Sequence, residues 1–85
     1  MKEKDLIKLG FTKINVTEEE SGDKPYHYYT FDFFAEHCGL SLLSPANDEL
    51  KDGKWFVTVL EENRIRFTDK KELKKFIKLV RNNSL

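Results

Sequence analysis

Residues 55–80 read WFVTVLEENRIRFTDKKELKKFIKLV, and two periodicities succeed one another inside them. From Trp55 to Leu60 the side chains alternate. Trp55, Val57 and Val59 face one way and Phe56, Thr58 and Leu60 the other, the period-2 pattern of a strand. Both sides are apolar, which predicts a strand inside a sheet and not at its edge. Glu61-Glu62-Asn63 is a tight polar connection, and Arg64-Ile65-Arg66-Phe67 alternates again as a hairpin partner with outward arginines. After Thr68 the period becomes helical. Leu73, Phe76, Ile77 and Val80 fall at i, i+3, i+4 and i+7 of one apolar stripe, with Lys71, Lys74, Lys75 and Lys78 on the other side. Asp69 and Glu72 have the spacing of a capping box, and Arg81 suits the negative end of the helix dipole. The pattern predicts a helix from about Asp69 to Arg81, ended by Asn82-Asn83.

Working outward, Tyr26 to Phe34 is the most strand-like remaining stretch, because aromatic side chains fit a pleated, half-buried surface. His27, Tyr29, Phe31 and Phe33 share one face. Tyr26, Tyr28, Thr30, Asp32 and Phe34 share the other, which Thr30 and Asp32 mark as the wetter side. Leu40 to Leu43 is a short strand stopped at Ser44-Pro45, since proline cannot donate to a ladder, and Ala46 to Lys54 is a polar loop. Phe11 to Thr17 alternates, with Thr12, Ile14 and Val16 opposite Lys13 and Asn15. An acidic stretch without an apolar residue, Glu18 to Pro25, reads as the loop between these strands. Leu6, Ile7 and Leu9 before Gly10 predict a helix over about Lys4 to Leu9 stopped by the glycine, with Phe11 placed to touch Leu6. So short a helix needs packing to persist. The expected fold is one α+β domain over 1–85: a single antiparallel sheet of four to five strands, a short N-terminal helix, and a C-terminal amphipathic helix packed on one face.

Composition narrows the class. A chain of 85 residues has room for one core, and 39% hydrophobic residues with seven Phe supply it. The single cysteine, Cys38, allows no intramolecular disulfide and fits a reducing compartment. The charged opening MKEKDLIKLG, and the lack of any run of about eighteen apolar residues, give no sign of a signal peptide or membrane span. A cytoplasmic protein without a membrane partner is expected. The net charge is zero, which argues against a general nucleic-acid binder. Yet residues 69–81 hold six basic and two acidic side chains, a net of +4, so the remainder carries −4.

No catalytic, cofactor-binding or metal-ligating residue is expected. His37-Cys38 pairs an imidazole with a thiol, the elements of a nucleophilic site, but sequence neighbours in a strand point to opposite faces. An ordinary half-buried cysteine beside a surface histidine explains them as well. His27, His37 and Cys38 with Asp32 and Glu36 have none of the spacings of zinc or calcium sites. The carboxylates at Glu18 to Glu20, Asp48-Glu49 and Glu61-Glu62 lie in exposed turns, whereas a general acid must be shielded from water. Four isolated glycines make no phosphate cradle. Surfaces are what remain. Lys71, Lys74, Lys75, Lys78 and Arg81, with Lys70, form either a phosphate-binding seam or the solvated side of an amphipathic helix. Tyr26, Tyr28 and Phe34 either stack on bases, anchor a protein interface, or lie beneath a loop or the short N-terminal helix.

The LIKLGF opening, the WFVTVLEENRIRF hairpin and the TDKKELKKFIKLV helix together resemble the small orphan proteins that phages and mobile elements encode, including anti-CRISPR proteins and other inhibitors of host defence. The resemblance carries no functional residue over. It implies a protein that acts by binding a host protein or nucleoprotein, and not by turnover. The expected activity is therefore non-enzymatic inhibition or modulation of a larger macromolecule by an interaction surface drawn from Tyr26, Tyr28, Phe34 and the lysine seam. A small RNA- or DNA-binding protein using the basic helix is the alternative, and a homodimer through an exposed sheet face is compatible with both.

Overall fold

Alternation and turn residues between 11 and 67 fold into five strands, each hydrogen-bonded to its sequence neighbours. The computed structural model describes residues 1–33 and 40–83. The expectations for Phe34, Glu36, His37 and Cys38 lie outside the described residues. In chain order the elements are α1 (Glu3–Lys8), β1 (Thr12–Val16), α2 (Glu18–Ser21), β2 (Tyr26–Asp32), β3 (Ser41–Leu43), a 3-10 turn (Asn47–Glu49), β4 (Val57–Val59), β5 (Glu62–Phe67) and α3 (Lys70–Asn83). The sheet is wholly antiparallel in the order β1-β2-β3-β4-β5. The fold is α+β as expected, with β4 inside the sheet and β1 and β5 at its edges.

Alternation assigns the faces. Tyr29, Phe31, Leu42, Trp55 and Val57 point to one side, where they form a buried cluster with Leu6 of α1, Phe11, and Leu73 and Ile77 of α3. Both longer helices therefore cover the same face. A chain of aromatic contacts runs across this layer, from Phe11 to Phe31 (5.3 Å between ring centres), Phe31 to Phe33 (4.9 Å), Phe33 to Phe76 (6.0 Å) and Phe76 to Phe67 (4.9 Å). Edge-to-face and tilted packing of this kind adds to the stabilisation from burial alone.

Local chemistry sets the element ends. At the end of α1 the Phe11 amide donates to the Leu6 carbonyl (3.1 Å) and the Gly10 amide to that of Ile7 (3.1 Å), the Schellman pattern. Gly10 sits at φ 96°, where a side chain is strained. Leu6 and Phe11, the pair expected to meet across this stop, are both in the core. Asp69 caps α3 by accepting from the Lys71 amide at 2.9 Å. The expected acidic loop differs from the structure: Glu18–Ser21 is a one-turn helix, capped where the Thr17 hydroxyl accepts from the Glu20 amide at 3.3 Å and closed by Gly22 at φ 74°. Thr17 and Glu20 carry the capping-box spacing, but the turn has no apolar face, so hydrophobic periodicity does not register it.

β3 ends at Leu43, and beyond it side chains continue the ladder on β2. The Ser44 hydroxyl accepts from the Tyr29 amide at 2.8 Å, and the Asn47 side chain accepts from the His27 amide at 2.8 Å. Pro45, lacking an amide hydrogen, turns the chain between them.

Candidate functional site

The register aligns the second face of the sheet in rows. Thr12 lies opposite Thr30, Thr30 opposite Leu43, Leu43 opposite Thr58, and Thr58 opposite Arg66; one pleat further along, Ile14 lies opposite Tyr28, and beyond that Val16 opposite Tyr26. No helix covers this face among the described residues. Ile14, Val16, Tyr26, Tyr28, Leu43 and Phe56 are half-buried there and still in reach of solvent. Tyr26, Tyr28, Leu43, Pro45, Phe56 and Arg66 border an open depression of about 540 Å³. A second depression of about 350 Å³ adjoins it, bordered by Glu49, Lys51, Lys54, Phe56 and Arg66. The Phe56–Arg66 pair is the ridge between the two, with the guanidinium carbon 4.2 Å from the ring centre, a cation–π contact.

The surface expectations therefore separate. Tyr26 and Tyr28 are on the open face. Lys71, Lys74, Lys75 and Lys78 are exposed on α3, which packs against the opposite face. The lysine seam and the tyrosines lie on opposite sides of the molecule, so no single flat partner spans both. Arg81 folds back to the core margin, its guanidinium carbon 5.1 Å from the Phe31 ring centre. Trp55 is only 6% exposed and belongs to the core. Its neighbour Phe56 takes its place on the open face, a residue whose alternation with Trp55 is plain in the sequence but which carried no functional signal there.

A polar cluster joins α1 to the sheet. The Tyr29 hydroxyl donates to Glu3 Oε2 at 2.6 Å, and His27 Nε2 lies 2.7 Å from the same oxygen. The His27 ring stacks on Trp55 at 5.9 Å and meets Tyr29 edge-on at 5.9 Å. The hydrogen bond from Tyr29, with His27 adding to it, holds the Glu3 carboxyl below its usual range against the opposing effect of burial. Burial first, and the bond to Glu3 second, push the Tyr29 hydroxyl up to about 12. Both shifts act in the same sense near neutrality, keeping the Glu3 carboxyl ionised and the Tyr29 phenol neutral. Through these bonds the cluster clasps α1 to β2. A second clasp holds the same helix, where Asp5 accepts from the Lys2 amide at 2.8 Å and its carboxylate lies 3.9 Å from Lys70 Nζ at the start of α3.

Among the described residues no three His, Cys, Asp or Glu side chains converge as a metal site would require, and no described helix is long and apolar enough to cross a membrane. Compared with protein-family models, curated proteins and solved structures, the chain matches none.

Proposed function

We propose that this protein is a non-enzymatic interaction module whose uncovered sheet face docks on a larger macromolecule, such as a host-defence protein or a ribonucleoprotein, and inhibits or modulates it. The observation that carries the proposal is the open face. Six half-buried apolar side chains there, Tyr26 and Tyr28 among them, keep surface that no other described residue covers. Aromatic residues held rigidly in a strand make strong contact anchors at little entropic cost, and contiguous apolar surface is unusual on a chain that acts alone.

The test compares three baits in a lysate of the natural host: the native chain, Tyr28→Glu, and the quadruple Lys71→Gln, Lys74→Gln, Lys75→Gln, Lys78→Gln variant. The partner is lost with Tyr28→Glu and kept with the quadruple variant, both baits having native circular dichroism. Equal recovery by Tyr28→Glu refutes the open face as the docking surface.

A further inference from the structure

Resting on the open face as the docking surface, we infer that what it takes is single-stranded nucleic acid, with one base stacked on Tyr28, another on the Arg66 guanidinium where it lies over Phe56, and the strand's phosphates on Arg66, Lys51 and Lys54. Charge selects this occupant. The two depressions that meet at the Phe56–Arg66 ridge hold three cations and one acid, Glu49, along their borders. Glu49 is engaged with its own turn, its Oε1 accepting from the Ala46 amide at 3.3 Å. Arg64, the other arginine of β5, is neutralised by Glu62 through contacts of 2.7 and 2.9 Å. Lys51, Lys54 and Arg66 have no ion-pair partner within 4 Å among the described residues, so with Glu49 the border of the apolar floor keeps a positive excess. A neutral apolar partner surface leaves those charges desolvated and unpaired, which is costly; a polyanion with flat apolar rings satisfies floor and border together.

Shape selects the single strand. A five-stranded face does not enter the major groove as a helix or a two-stranded ribbon does, and bases stack on half-buried rings when they are unpaired and splayed outward. Aromatic platforms beside a cationic groove bind single strands with little sequence preference, since every base has a stacking face. The Arg66 guanidinium already lies over Phe56, which places a planar cation where a base–phosphate unit crosses the ridge.

The probe is a labelled mixed-sequence RNA of about ten nucleotides, read by fluorescence anisotropy at about 50 and 200 mM salt, beside its DNA counterpart, its duplex, and a nucleoside monophosphate. Three phosphate contacts predict a log–log salt slope of about −2. The Lys51→Gln, Lys54→Gln double variant, whose side chains are both exposed, cuts the slope to about −0.7. Phe56→Ala and Tyr28→Ala each weaken binding about tenfold at unchanged slope. The quadruple α3 lysine variant binds as the native chain does.

Single-strand affinity weaker than about 100 µM at the lower salt, equal binding of the duplex, or a monophosphate bound as tightly as the strand overturns the inference. So does loss of binding in the α3 variant with retention in the Lys51, Lys54 variant. If no strand binds but Tyr28→Glu still loses its partner from nuclease-treated lysate, the inference falls and the docking reading stands. If Tyr28→Glu loses nothing, the docking reading falls as well.

Discussion

At the scale of single residues, the Glu3–Tyr29–His27 clasp makes stability depend on pH from both sides. Glu3 and Asp5 are held below their ordinary values of 4.5 and 3.8. A carboxyl lowered by folding contributes above its unfolded value, and the contribution is lost as pH falls through the folded one. Tyr29 runs the other way. Its value is raised from 10 to about 12, so its contribution is complete below pH 10 and disappears between 10 and about 12. Urea midpoints measured across pH should fall on both limbs. Tyr29→Phe should cost about 1–2 kcal/mol at neutrality and make the alkaline limb shallower; an alkaline limb identical to that of the native chain contradicts the assignment. None of these pairings is legible in sequence, because Glu3 meets His27 and Tyr29 across 24 and 26 residues. Sequence periodicity says which face a side chain takes, and pairing across the fold decides which polar atoms meet.

At the scale of elements, most of the fold is legible because each long element has one dominant period. The apolar stripe of α3 and the alternation of β2 and β4 are present as read, and Gly10 stops α1 as its position after Leu9 predicts. What escapes is short or set by neighbours. α2 has caps without an apolar face, and Ile65 stays 48% exposed because β5 is an edge strand, with no described strand beyond it to cover that side chain. The glycine stop is the most testable element. A Cβ on Gly10 meets the Phe31 ring at 3.7 Å, ordinary contact, so only the backbone angle opposes a side chain there. Gly10→Ala should lower unfolding free energy by about 1–2 kcal/mol, seen as a lower urea midpoint at unchanged slope. No change in midpoint means that α1 ends differently in solution.

At the scale of the whole molecule, two layers divide the charged and aromatic surfaces that composition alone lumps together. The positive excess at 69–81 is evident from a residue count, and so is the aromatic strand. That they face away from each other follows only from which side of the sheet α3 occupies, and the apolar stripe of a helix does not name the face it will cover. Neutralising Lys71, Lys74, Lys75 and Lys78 should therefore change thermal stability by less than about 0.5 kcal/mol and leave the intrinsic fluorescence of the buried Trp55 unaltered; a shift in its emission places the lysine seam in the core's support. The strand order has a consequence for synthesis. Since every strand pairs with the one before it, a nascent chain builds its sheet in the order in which it leaves the ribosome. Leu73 and Ile77, which close the core, come last. A chain halted at Thr68 keeps only α1 over the core face, which has lost Leu73 and Ile77, and no helix over the other, so such a truncation should sediment with the insoluble fraction. Until α3 emerges, the apolar residues it buries are exposed, the condition under which partly folded sheets aggregate.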